Sequence, residues 1–147
     1  HPQHPWHGLH ALLGYRLFET GLGAVGDLPV AVDMETFLAK VKEAFGCAML
    51  RVSRFPPSQP VSRVALCGGA AGEFVPEAIA AGADIYVTAD CKLNQFLDHA
   101  GDIVLVDAGH FETEECTKRI FFDVITEKFP NFAVCYSETE KNPIIYL

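Results

Sequence analysis

The segment from Asp107 to Glu114 reads DAGHFETE, with His110 and Glu114 four positions apart. That spacing puts two side chains on one face of an α-helix. An imidazole nitrogen and a carboxylate oxygen converging there form a donor pair suited to a divalent metal ion. An apolar run, Ile103 to Val106, comes just before, and a long amphipathic pattern follows. The pair is therefore expected where a strand gives way to a helix. By helical phase, His110 and Glu114 fall on the side of Ile120, Phe121 and Val124, facing the body of the protein at its edge. Glu112, Glu115, Arg119 and Asp123 fall on the solvent side. The competing explanation is plain helix capping, because acidic residues in a first turn meet the helix dipole favourably. It accounts for Glu112 and Glu115 and accounts poorly for an inward His110 and Glu114.

Two ligands are too few for a stable site. Asp107, Asp90 and Asp98 are the candidates to add oxygen atoms, or hydrogen bonds behind the ligands. Asp90 follows the strand-like run Asp84 to Thr88, and the carboxyl ends of strands are where open α/β sheets bind ligands. Its structural alternative is an N-cap on the next helix. The loop CGGAAGE, Cys67 to Glu73, also ends a strand and opens a helix, making Gly68, Gly69 and Gly72 candidates for an anion loop. It has no Walker lysine and no G-x-G-x-x-G spacing, so a tight turn requiring glycine competes with that reading. Cys91 beside Lys92 is the candidate reactive thiol. Against it stands the reading of all five cysteines as reduced packing residues of a cytoplasmic protein, with no C-x-x-C pair among them. His1, His4, His7 and His10 recur at every third position. A metal cluster is one reading of that row, and an irregular chain start is the other.

The elements that must position these residues alternate between strand and helix. Asp33 reads as an N-cap; Met34, Phe37, Leu38, Val41 and Phe45 follow helical spacing, and Gly46 ends the run. Further helices are expected over Phe74 to Ala81, Lys92 to His99 and Phe111 to Phe129, the last buried along Cys116, Ile120, Phe121, Val124 and Ile125. Strands are expected at Gly14 to Phe18, Ala48 to Ser53, Val61 to Cys67, Asp84 to Thr88, Ile103 to Val106 and Phe132 to Tyr136. Glu19 to Pro29 reads as a connector, Phe55 to Pro60 as a loop, and Pro143 to Leu147 as an apolar tail docked on the body. Near-continuously apolar strands alternating with helices indicate an α/β domain with a mostly parallel, helix-covered β-sheet.

Composition narrows the function. The chain has 147 residues, half of them hydrophobic, enough for one domain with a real core. Eleven basic residues against nineteen acidic ones give a net charge of −8, which argues against a nucleic-acid surface. No apolar run is long enough to span a bilayer and no signal peptide is visible, so no membrane role is expected.

From Thr20 onward the chain resembles the NIF-three-like family, also catalogued as GTP cyclohydrolase one, type-two homologues. The resemblance is carried in order by TGLGAVGDLP (Thr20 to Pro29), FLAKVKEAF (Phe37 to Phe45), LRVS (Leu50 to Ser53) and RVALCGGAAG (Arg63 to Gly72). GADIYVTAD (Gly82 to Asp90), DAGHFETE and NPIIYL (Asn142 to Leu147) complete it. It implies two α/β lobes with a two-metal site between them. Residues 21–147 would form the C-terminal lobe, and residues 1–20 an irregular start or the remnant of an inserted ferredoxin-like domain. It also implies His110 and Glu114 as the C-terminal half of the metal site, with a double His and an Asp from an N-terminal lobe. Two divalent ions per complete subunit are implied, of zinc, iron, manganese or magnesium. The implied activity is metal-dependent hydrolysis of a small nucleotide-like substrate, by a homo-oligomer ranging from a dimer to a hexameric ring. The alternative is a metal-binding scaffold without turnover. The chain departs from the family at TADCKLN, where Leu93 and Asn94 replace an aromatic residue and a His, and at Phe111, where Tyr is common.

Overall fold

A computed structural model describes residues 22–147. The histidine row and the strand expected at Gly14 to Phe18 lie outside the described residues. Five strands form one sheet in the order β1-β3-β4-β5-β2. They are β1 (Ala24–Asp33), β2 (Arg51–Val52), β3 (Pro60–Ala70), β4 (Ile85–Ala89) and β5 (Val104–Asp107). Helix α1 (Met34–Phe45) follows β1, α2 (Val75–Ala80) joins β3 to β4 after a short 3₁₀ turn, and α3 (Leu93–Asp98) joins β4 to β5. Helices α4 (His110–Glu114) and α5 (Cys116–Lys128) come after β5.

The α/β reading holds, with one refinement. The three central strands β3, β4 and β5 run parallel, while β1 and β2 close the two edges in antiparallel pairing. Every residue of β4 and β5 is buried, because helices and loops cover both faces of the sheet. The two-residue period of a strand sends alternate side chains to opposite cores. Ile85, Val87, Val104 and Val106 meet Met34, Phe37 and Val41 of α1 on one face. Tyr86 and Leu105 meet Val75 and Ala78 of α2 on the other.

Helix α1 forms where its signals coincide. The Asp33 carboxylate accepts from the Thr36 amide at 2.8 Å, and Gly46 in the left-handed conformation closes the C-terminus.

The connector expected at Glu19 to Pro29 is overturned, because β1 runs through it from Ala24. Its Gly and Pro are tolerated at a sheet edge, where the β1–β3 register shifts between Asp27 and Val32. Arg63 grips Asp27 through two hydrogen bonds of 2.8 and 3.0 Å beside that irregularity. No strand forms at Phe132 to Tyr136; instead the Tyr136 ring stacks on Phe122 of α5 at 4.6 Å. The long last helix divides at Glu115 into α4 and α5. The burial expected along α5 is also corrected: no residue of α5 is buried, and Ile120, Phe121 and Val124 are exposed. Of the face read as core, Cys116 and Ile125 are half-buried and the rest stands open.

Phe37 is fully buried between α1 and the sheet. Phe37→Ala is expected to cost about 3–5 kcal/mol of stability by opening a cavity there. A urea titration of the variant against the parent chain checks this.

Candidate functional site

The carboxyl ends of β3, β4 and β5 meet α4 at one edge of the sheet. β5 ends at Asp107, whose buried side chain makes the turn into α4. Its Oδ1 accepts from the Gly109 amide at 3.1 Å, and its Oδ2 accepts from the Cys91 amide at 3.1 Å and from Arg51 at 2.9 Å. Asp107 is thus committed to holding the turn. The Ala108 amide donates to the Thr88 carbonyl at 2.9 Å, carrying the chain along β4 until Gly109 turns it with a φ of 86°.

His110 opens α4 and lies between two carboxylates. Its Nδ1 is 2.6 Å from Asp90 Oδ2, and its Nε2 is 3.2 Å from Glu114 Oε2. Asp90 reaches it from the end of β4 with a φ of 52°, unusual for a residue other than glycine. A carboxylate can only accept, so the Asp90 contact places a ring proton on Nδ1, and in the protonated ring Nε2 carries the second proton toward Glu114. The sequence allowed Asp90 as an N-cap of the Lys92 helix. The structure gives that cap to Lys92, whose amide donates to Gln95 Oε1 at 2.7 Å. The side chains of His110 and Glu114 are 44% and 54% exposed, so they stand at the edge of the body and open to solvent.

The hydrogen bond to Asp90 is the largest influence raising the His110 pKa above 6.5; burial opposes it, and the Glu114 charge adds to it. Burial pushes the Cys91 thiol up to about 12, which removes the thiolate a reactive cysteine needs.

The CGGAAG loop faces the pair. A Cβ on Gly69 would overlap Glu114 Oε1 and come within 3.5 Å of His110 Nε2. Only glycine leaves the space between the two donors open. The Gly69 amide donates to Thr113 Oγ1 at 3.0 Å, and the Ala71 amide to Thr88 Oγ1 at 3.3 Å. A Cβ on Gly72 would overlap the Gln95 amide group, and one on Gly68 would press on the Thr113 carbonyl. These contacts explain the glycines by close packing. Thr113 was not singled out in the sequence, yet it is buried and fastens α4 to β3, its hydroxyl also donating to the Gly109 carbonyl at 2.9 Å. Its position between His110 and Glu114 on the inner face was the available signal.

Glu112 reverses its expected orientation. Its Oε2 is buried without a hydrogen-bond partner, and its Oε1 accepts from Asn142 and Tyr146 of the C-terminal segment. Beside the His110–Glu114 pair a cavity of about 390 Å³ opens, walled by Phe111, Lys118, Pro143 and Ile144. Lys118 is engaged by Glu115 and Glu140, each at 3.3 Å.

A family model described as Duf34/NIF3 (NGG1p interacting factor 3) matches residues 4–143. A GTP cyclohydrolase 1 type 2 homolog of Lactococcus lactis subsp. lactis (strain IL1403) is 29% identical over 134 residues, covering 87% of this chain and 50% of the relative. One from Streptococcus pneumoniae serotype 4 is 33% identical over 97 residues, 63% of this chain and 36% of the relative. The chain thus spans half or less of the length of these curated relatives. Among solved structures, the Staphylococcus aureus hypothetical protein SA1388 superposes with a TM-score of 0.74 at 25% identity, over 86% of this chain and 43% of that one. A Bacillus cereus protein related to NIF3 gives 0.72 at 25% identity, over 86% and 36%.

The raised His110 pKa fixes a sign. The ion pair's contribution to stability is full below pH 6.5 and fades as pH rises through the folded-state value. A proton-detected titration of the metal-free chain should place His110 above 6.5, and Asp90→Asn should bring it down toward that value. An unchanged titration in Asp90→Asn would show that the contact does not persist in solution.

Proposed function

Because the chain belongs to the Duf34/NIF3 family, we propose that it supplies the C-terminal half of a divalent-metal site in a metal-dependent hydrolase. His110 and Glu114 are the ligands in this reading. Asp90 is a positioning residue that fixes the ring and its tautomer. The observation that carries the proposal is the convergence of His110 Nε2 and the Glu114 carboxylate at 3.2 Å over a glycine that no other residue could replace without filling the gap. One imidazole and one carboxylate suit zinc, iron, manganese or magnesium with different preference, and the pair alone does not choose among them.

The donor set fits half of a site. No cluster of three or more His, Cys, Asp or Glu able to hold a metal occurs among the described residues. The remaining ligands must come from outside them, in keeping with relatives of about twice the length. A bound divalent ion would supply Lewis acidity and lower the pKa of a water molecule. The chain's own part is to keep a proton on Nδ1 through Asp90, so that Nε2 is the nitrogen that would give up its proton to an ion, and to orient Glu114. The names of the relatives suggest GTP or a related nucleotide as substrate.

This reading extends to a homo-oligomer of two to six subunits in the cytoplasm. The exposed apolar side chains of α5 offer area for assembly, and all five cysteines are free thiols. No helix among the described residues is long and apolar enough to cross a membrane.

A second reading, a metal-binding scaffold without turnover, is favoured by one feature. Leu93, where the family resemblance implies an aromatic residue, is 70% exposed at the start of α3 and adds no polar group to the site.

The complete protein is expected to carry about two divalent ions per subunit, measured by elemental analysis. His110→Ala and Glu114→Ala should each lower that content while leaving the fold intact. Metal content unchanged in both variants would remove the site assignment. Metal-dependent hydrolysis of GTP, lost in the same variants, decides for the enzyme; full metal without turnover decides for the scaffold. Gly69→Ala makes a separate test. Its methyl group would displace Glu114, so metal retention should fall although no ligand has been removed.

A further inference from the structure

The C-terminal segment forms one wall of the cavity beside His110 and Glu114, through Asn142, Pro143 and Ile144. Hydrophobic burial does not hold it there. Ile144, Ile145 and Leu147 are exposed, so their apolar area contributes little to docking. Its attachments are polar, and two of them end on one oxygen. Glu112 Oε1 accepts from Asn142 Nδ2 at 3.0 Å and from the Tyr146 hydroxyl at 3.1 Å. The Asn142 side chain is used at both ends, because its Oδ1 also accepts from the Ile144 amide at 3.0 Å and so fixes the Pro143–Ile144 turn against the cavity. Lys118 adds a contact with Glu140 at 3.3 Å just upstream.

Glu112 is placed for this by its neighbour. A Cβ on Gly109 would overlap the Glu112 carboxylate, so the turn into α4 makes the space that the carboxylate occupies. Burial, and then the Glu112 carboxylate, raise the Tyr146 pKa, which keeps the phenol a donor. Since Glu112 lies between the two proposed ligands on one short helix, the strap and the ligands share a single support.

We infer that residues 142–147 form a strap that walls the substrate cavity, and that Glu112 is its anchor: a positioning residue that sets access and fit without touching the metal. The inference rests on reading His110 and Glu114 as a hydrolase centre, and its test separates the two. The strap is tested first in the metal-free chain. Hydrogen exchange from Ile144 to Leu147 is expected to be about tenfold faster in Glu112→Ala than in the parent. In Glu112→Gln it should stay near the parent rate, because the amide oxygen still accepts from both donors. Tyr146→Phe, changed outside α4, should shift exchange the same way by less. Unchanged exchange in both Glu112→Ala and Tyr146→Phe overturns the anchor. In the complete, metal-loaded protein, Glu112→Ala should raise KM for GTP several-fold, with kcat and metal content retained, and Glu112→Gln should restore it. A loss of kcat or of metal with KM unchanged overturns the wall. Should the parent not turn GTP over, its GTP affinity by equilibrium dialysis replaces KM. Equal affinity in parent and Glu112→Ala, or none in either, then overturns the wall while the exchange result still decides the anchor. Metal loss in His110→Ala bears on the metal site alone.

Discussion

The Asp107 carboxylate is the junction on which the rest of the site depends. It is buried, and its oxygens accept from an Arg51 guanidinium, the Cys91 amide and the Gly109 amide. Those donors belong to β2, to the chain just beyond β4, and to the turn that starts α4. One side chain therefore ties an edge strand, the end of a central strand and the first residues of the helix that carries His110 and Glu114. Breaking a buried carboxylate's partners leaves an uncompensated charge, which is far costlier than losing an exposed pair. Arg51 reinforces the junction by lying over the Phe96 ring at 5.3 Å.

Much of this was legible in the sequence, and for physical reasons. Helix α1 was readable because cap, period and stop agree at Asp33, Phe37, Val41 and Gly46. β4 and β5 were readable because strands covered on both faces have no polar alternation to obscure them. The His110–Glu114 pair was readable from spacing alone, and the structure brings the two side chains together. The failures share a cause. Periodicity reports a helix's phase and is blind to what later covers each side. Glu112 was assigned to solvent because its cover comes from Asn142, thirty residues on. The apolar face of α5 was read as core, yet none of its residues is buried. β1 was hidden by Gly and Pro that an edge strand tolerates and a central strand does not.

The glycines separate what composition blurs. As a motif, CGGAAG suggests an anion cradle. In the fold, Gly69 clears space for Glu114, Gly72 clears space for Gln95, and the Gly69 and Ala71 amides are satisfied by Thr113 and Thr88. The loop's chemistry is thus subtractive: it keeps β3 close to α4 so that two donors from α4 face an open gap.

The Asp90–His110 contact orients a ring at the sheet edge. Asp is one of the few residues besides glycine that enter the left-handed region, so the backbone cost at Asp90 is below the roughly 1–2 kcal/mol of an ordinary residue. A charge-assisted hydrogen bond contributes about 1.5–3 kcal/mol when shielded, and less here, because the side chains are 44% and 56% exposed and solvent screens the pair. Both effects are small, so the contact adds little to stability. What it does contribute is orientation. The fully buried β4 strand ends just before Asp90, which takes the left-handed conformation. That conformation aims its carboxylate at Nδ1, and Nε2 is left directed at Glu114. The contact's effect is therefore geometric: holding Nδ1 on Asp90 sets the direction in which Nε2 points.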